Sequence, residues 1–180
     1  MKADMNHIFE TIYEKESDAI FRFCLVRVSS REQALDITQE TFLRLWQSLS
    51  KGEEIINGKA FLFTIARRLI IDWYRKKKSL SLDSIVFEGK EESFDIQDES
   101  TSESNLLIGI EARHLVSKIN ELDRSHRDPV YLRFVEDLSP PEIGEILGIS
   151  ANAASVRINR GLKELKKKME DSNIENQYGK

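Results

Sequence analysis

The chain has 180 residues, 40% apolar and 32% charged, with 8 Gly, 3 Pro and one cysteine. That composition suits one or two small helical domains and is too poor in turn residues for an all-β fold, while the single Cys24 excludes intrachain disulfides and cysteine-cluster metal sites. The net charge of −4 is uneven: residues 1–78 carry +3, residues 79–105 carry −7 and residues 106–180 carry none, so the sign of any partner has to be read segment by segment.

In chain order, helix-period segments are expected near 6–28, 31–49 and 59–78. In the second of these, Leu35, Thr38, Phe42, Leu45 and Leu49 follow a 3-4 spacing and predict the buried stripe. Asp36, Gln39, Glu40, Leu43 and Gln47 lie on the other side, as either a solvated face or a partner-binding one, Leu43 being the apolar member. Residues 50–58 follow as a loop bracketed by Gly52 and Gly58 that exposes Ile55, Ile56 and Asn57. It is either a plain connector or a loop that accepts an extruded base.

The helix near 59–78 buries Leu62, Ile65, Ala66, Leu69 and Trp73 and aligns Thr64, Arg67, Arg68, Ile71, Arg75 and Lys78 on an adjacent face beside Tyr74. Cations at this spacing repel one another unless a polyanion relieves them, and aromatic neighbours suit phosphate contact together with base stacking. Residues 79–105, rich in Ser and acidic residues, have no helical period and read as a flexible acidic linker.

Beyond the linker, helices are expected near 105–121, 128–136 (with Asp128 capping and Pro129 at its start), 140–147 and 151–170, followed by a polar, frayed tail from 171. Ser139, Pro140 and Glu142 form a capping-box start, Gly148 supplies a left-handed helix end, and Ser150 caps the next helix. Two short helices joined this way, the second one basic, form a helix-turn-helix of the DNA-reading kind. With Ala154, Ile158, Leu162 and Leu165 buried, Asn152, Val156, Asn159, Arg160 and Lys163 project from the other side, with Arg157 and Ser155 beside them. The expected fold is therefore all-α: two small helical domains joined by a flexible acidic linker, the second a winged-helix-like helix-turn-helix domain.

Three stretches in order, Asp36–Trp46, Ala66–Lys77 and the helix-turn-helix at 138–168, resemble the sigma-70 family of bacterial RNA polymerase sigma factors, of the extracytoplasmic-function (group 4) type. The resemblance covers about residues 6–78 and 108–168 and implies a domain over 1–78 for polymerase docking and −10 element recognition and melting. It implies a −35-reading domain over 106–170, the linker at 79–105 and the tail at 171–180 standing outside both. Carried over by position, Asp36, Gln39, Glu40 and Leu43 meet the clamp helices of the polymerase β′ subunit. Ile55, Ile56, Asn57, Arg67, Arg68, Trp73, Arg75 and Lys78 contact the −10 region, with Asp72 among them. Asn152, Ser155, Val156, Arg157, Asn159, Arg160 and Lys163 contact the −35 element, although Ser155 stands where the family often has a basic residue.

The implied partners are core RNA polymerase (β′ clamp helices and β flap), promoter DNA and an anti-sigma factor, with no cofactor, no metal and no catalytic site. A conventional helix-turn-helix regulator is the alternative. A small enzyme acting on nucleic acid is disfavoured by one Cys, three scattered His and no convergent carboxylates. No apolar run reaches the about 18 residues of a membrane span and residues 1–7 lack the apolar core of a leader, so a cytoplasmic protein without membrane contact is expected.

Overall fold

The computed structural model describes the backbone of residues 2–28, 30–83 and 110–178 and the side-chain surroundings of residues 5–28, 30–77 and 115–170. Every regular element among them is an α-helix, and the helices fall into two units. The first holds α1 (Lys2–Val28), α2 (Arg31–Ser50) and α3 (Gly58–Asp83); the second holds α4 (Ile110–Asn120), α5 (Arg124–Phe134), α6 (Pro140–Leu147) and α7 (Ala151–Tyr178). The all-α, two-unit fold is the expected one, with no β wing on the helix-turn-helix among the described residues.

In the first unit the three helices pack mutually around fully buried Ile20, Phe23, Ala34, Leu45, Leu62, Phe63 and Ala66. The Ser30 hydroxyl starts α2 by accepting from the Gln33 N–H at 3.4 Å. The buried stripe of α2 differs from the expected one: it is Ala34, Ile37, Thr41, Phe42 and Leu45, while Leu35 is exposed and Thr38 and Leu49 are half-buried. A hydroxyl at position 41 misled the spacing. Thr41 Oγ1 donates to the Ile37 carbonyl at 2.7 Å, and a polar group satisfied within its own helix can enter a core. On α3, Leu62, Ile65 and Ala66 are buried as expected, but Leu69 and Trp73 are only half-buried, and Phe63 and Ile70 complete the core instead.

Cys24 is fully buried, and desolvation pushes its thiol up to about 11 against a smaller lowering by the Thr38 hydrogen bond and the Arg27 charge. A raised native value means that the unfolded chain releases its proton first, at about 9.0. The contribution to stability is therefore intact below pH 9 and falls by about 2–3 kcal/mol as pH rises to 11. Alkaline unfolding should show this slope in the parent chain and lose it in Cys24→Ala, and iodoacetamide should label Cys24 only as fast as the first unit opens.

In the second unit, α5, α6 and α7 pack together with α4 against α5 and α7, around fully buried Ile119, Val130, Leu132, Ile143 and Ala154. The helix expected from Asp128 instead runs Arg124–Phe134, with Pro129 inside it. Its cap is Asp123, whose Oδ1 accepts from the Ser125 N–H at 2.8 Å and the Ser125 hydroxyl at 2.6 Å. The hydroxyl bond is the larger cause, ahead of the amide, holding that carboxyl below its usual range. Proline is compatible with helical φ; its missing donor costs one bond near the helix start, and burial of its ring opposes that loss.

Other ends shift as well: α1 begins at Lys2, α3 runs on to Asp83, past the expected linker start at 79, and α4 begins at Ile110. The backbone of α7 stays helical to Tyr178 where a frayed tail was expected from 171. The remainder of the linker, from 84 to 105, lies outside the described residues.

The turn of the helix-turn-helix follows its predicted chemistry. Glu142 Oε2 accepts from both the N–H (2.8 Å) and the hydroxyl (2.6 Å) of Ser139, and Gly148 adopts φ 68. Ser150 Oγ accepts from the Ala153 N–H at 3.1 Å. Gly144 is needed for a different reason: a Cβ there would come within 2.7 Å of the Ile149 carbonyl oxygen, because the turn folds back across that face of α6.

Candidate functional surfaces

The first surface is the outer side of α2. Asp36, Gln39 and Leu43 are exposed, Leu43 by 49%, and Glu40 is half-buried with its Oε1 2.8 Å from Arg44 Nε. These are the residues expected there, and helical spacing brings all four to one face. The fold adds a feature invisible in the periodicity. An open cleft of about 440 Å³ separates this face from α3, with Asp36 and Glu40 on one lip, Asp72, Arg75 and Lys76 on the other, and Ile37, Leu69 and Trp73 between.

The second surface comprises the 51–57 loop and the outer side of α3. Ile56 is 94% exposed, Ile55 is half-buried, and Asn57 has a structural task. Asn57 Oδ1 accepts from the Ala60 N–H at 3.0 Å and so caps α3, which leaves Ile56 as the loop's outward group. Along α3, Arg68, Asp72 and Arg75 are exposed, with Arg75 Nη1 3.6 Å from Asp72 Oδ1, and Arg67 is half-buried. Trp73 has the Tyr74 ring edge-on at 4.9 Å and the Lys77 ammonium 5.4 Å from its ring centre. Lys78 lies on the helix, but its side chain is outside the described ones. The structure does not gather these residues into one pocket: Arg75 follows Ile56 by 19 positions, 17 of them along α3, so the loop and the cationic end are about 25 Å apart at 1.5 Å per residue.

The third surface is α7. Asn152, Asn159, Arg160 and Lys163 are exposed, Val156 is 40% exposed, and Arg157 is half-buried. Among the described residues Arg157, Arg160 and Lys163 make no ion pair. Ser155 is turned inward in its bonding, since its hydroxyl donates to the Ala151 carbonyl at 3.0 Å. Ala154, Ile158 and Leu165 are buried as expected, and Leu162 is half-buried.

Two groups that the sequence reading passed over hold α7 in place. Glu164 Oε1 accepts from the Asp123 N–H at 3.1 Å, and its Oε2 lies 2.9 Å from His126 Nδ1. Gly161 is buried where α5 passes so close that a Cβ would meet Val130 Cγ2 at 2.5 Å. A glycine inside a helical pattern was the available signal for that approach.

Residues 12–80 match the family model of Sigma-70 region 2, and residues 113–165 match that of Sigma-70, region 4. The chain is 30% identical over 167 residues to the ECF RNA polymerase sigma factor SigW of Bacillus subtilis, covering 91% of this chain and 89% of that protein. It is 26% identical to SigX of the same organism, covering 92% and 86%. Among solved structures, the sigma factor RpoE in complex with the anti-sigma factor NepR from Bartonella quintana superposes with a TM-score of 0.67 at 21% identity, covering 90% of this chain and 96% of that one.

CnrH in complex with the cytosolic domain of CnrY gives a TM-score of 0.63 at 20% identity, covering 92% and 90%. That complex corrects the expected cytoplasmic label. The partner there is specified by its cytosolic domain, a part distinguished from the rest of the same protein, so freedom from membranes does not follow for a chain of this kind. What stands is narrower: among the described residues no helix is long and apolar enough to cross a membrane.

Proposed function

Since the chain belongs to the extracytoplasmic-function type of the sigma-70 family of RNA polymerase sigma factors, we propose that its three exposed faces divide promoter recognition between them. Membership itself makes the chain a sigma factor that directs RNA polymerase to promoters, and sigma factors are not enzymes. The conventional regulator left open by the sequence falls away with the region 2 match, which such a protein does not need.

In this reading the Asp36, Gln39, Glu40 and Leu43 face docks on the β′ clamp helices, its carboxylates meeting basic side chains in charge-assisted bonds. The loop with Ile55, Ile56 and Asn57 and the α3 face with Arg67, Arg68, Asp72, Trp73, Arg75 and Lys78 take the −10 element. The separation of about 25 Å between them matches about seven base steps at 3.4 Å each, which suits two ends of one melted element better than a single pocket. Within the loop, Ile56 carries the outward contact and Asn57 holds the loop on α3.

The α7 face reads the −35 element. The observation that carries this assignment is the set of three cations, Arg157, Arg160 and Lys163, without a carboxylate partner among the described residues, beside a Glu164 that is drawn away to α5. Asn152, Val156 and Asn159 flank them, and Ser155 acts on its own helix backbone. The β flap is the polymerase element that receives the second unit. An anti-sigma partner is proposed from the likeness to sigma factors solved with NepR and CnrY.

Run-off transcription with core polymerase and a randomised promoter library tests the scheme, and should enrich one −10 and one −35 sequence. Arg157→Ala or Arg160→Ala should relax the preference at one −35 base by about tenfold or more, since an arginine on a guanine edge contributes about 1–3 kcal/mol of discrimination. Unchanged −35 preference in both variants would remove α7 as the reading helix.

A further inference from the structure

Beyond Ile70, no described side chain of α3 is buried: the stretch 71–77 is half-buried or exposed throughout. This is also the stretch that carries the exposed cations Arg75, Lys76 and Lys77. A helix end with few buried contacts frays unless something holds it.

The structure shows a tie at this end. The Tyr74 hydroxyl donates to the main-chain carbonyl of Arg27, 47 positions away in α1. The acceptor is well placed, because α1 ends at Val28 and a carbonyl in a last helical turn has no intrahelical donor. Arg27 is itself held: its side chain is buried, its Nη1 donates to the Phe23 carbonyl at 3.1 Å, and its guanidinium carbon lies 3.6 Å from the Phe23 ring centre. Phe23 in turn meets Phe63 of α3 edge-on at 5.1 Å. α3 is thus fastened to α1 near its start by Phe63 and again eleven residues later by Tyr74, about 16 Å further along. Beyond its hydroxyl, the Tyr74 ring abuts Trp73, which lines the cleft facing Asp36 and Glu40.

We propose that Tyr74 is a positioning residue for promoter opening: its hydroxyl bond to the end of α1 fixes the projecting turns of α3, so that Trp73 and the cations at 75–77 meet DNA already in place. This rests on the reading of α3 as the −10 face, but it assigns to Tyr74 a task that family membership does not supply. The ring alone does not accomplish it; the hydroxyl does.

Tyr74→Phe, which removes only that oxygen, is the test. Quenching is read on the free full-length protein in a Trp46→Phe background, where Trp73 is the sole indole and its fluorescence reports this end of α3, and the kinetics are read on the complex with core polymerase. The expected result is a Trp73 more accessible to acrylamide quenching, a thermal midpoint close to that of the parent, and open-complex formation on duplex promoter slowed about fivefold, the kinetic equivalent of one net hydrogen bond. A template already unpaired across the −10 region should restore the rate, which a general loss of folding could not do. Unchanged quenching, an unchanged rate on duplex DNA, or a loss that persists on the unpaired template overturns the proposal. Neutralising Arg75, Lys76 and Lys77 together separates the two layers: if that variant opens duplex promoter at the parent rate, the reading of α3 fails, and if it is slow while Tyr74→Phe is not, only the role of Tyr74 fails.

Discussion

Asp36→Arg combined with Glu40→Arg should weaken binding to core RNA polymerase by about 100-fold or more while leaving the fold intact. Asp36 is exposed and makes no ion pair among the described residues, so the free protein loses no direct contact when it is replaced. Glu40 loses its contact with Arg44, but both side chains are more than 40% exposed, and an exposed pair one helical turn apart is worth only a few tenths of a kcal/mol. At an interface the balance differs. Removing one partner of a desolvated, hydrogen-bonded charge pair costs about 2–5 kcal/mol, and reversal adds repulsion, so a 100-fold loss, about 2.7 kcal/mol, is the lower end. Titration of labelled sigma with core enzyme, beside a thermal melt of the free protein, checks both halves. Parent-like affinity would remove the α2 face as the docking surface.

Gly161→Val should destabilise the second unit, although it only adds apolar groups to a helix. A Cβ at 161 would stand 2.5 Å from Val130 Cγ2 and 3.1 Å from His126 Cβ, and Val130 is fully buried and β-branched, with no rotamer freedom to yield. Replacing a helical glycine normally gains a few tenths of a kcal/mol or more in propensity. Here overpacking of about 1–3 kcal/mol, deepened by a branched side chain, outweighs that gain. The result should be a net loss of about 2–3 kcal/mol, a large share of the few kcal/mol available to a unit of this size. Hydrogen exchange should speed up across α5–α7 with α1–α3 unaffected, and transcription from promoters that depend on the −35 element should fall accordingly. Equal protection in parent and variant would mean that α5 can draw back from α7 without cost.

The positions of the helix-turn-helix were legible because its stops are local. Ser139, Gly148 and Ser150 act on backbone groups within four residues, so short-range chemistry suffices to locate them. The α5 start differs from expectation for the complementary reason: Pro129 suits the opening of a helix, yet it sits inside one whose cap, Asp123, lies six residues earlier, because proline's φ fits a helix interior as well as its first turn. The α2 stripe was misplaced because periodicity ranks Leu35 above Thr41, while burial in the fold follows which residues face α1 and α3. Ser155 and Asn57 sat at plausible contact positions, yet their oxygens are engaged by their own helix ends, which only coordinates reveal.

Composition, charge segments, caps and the order of the three stretches were enough to determine an all-helical chain of the sigma-70 family, with its basic helices and its acidic α2 face. These properties depend on residue type and spacing along one helix, and spacing is written in the chain. The tertiary structure decided what lies between helices: the cleft joining the α2 and α3 faces, the approach of α5 to α7 at Gly161, the Glu164 contacts that steady the reading helix, and the Tyr74 tie to Arg27. Each joins groups 31 to 47 residues apart, and no one-dimensional pattern encodes a contact whose two halves belong to separate helices. Their pairing is settled only when the cores close and buried polar groups must find partners.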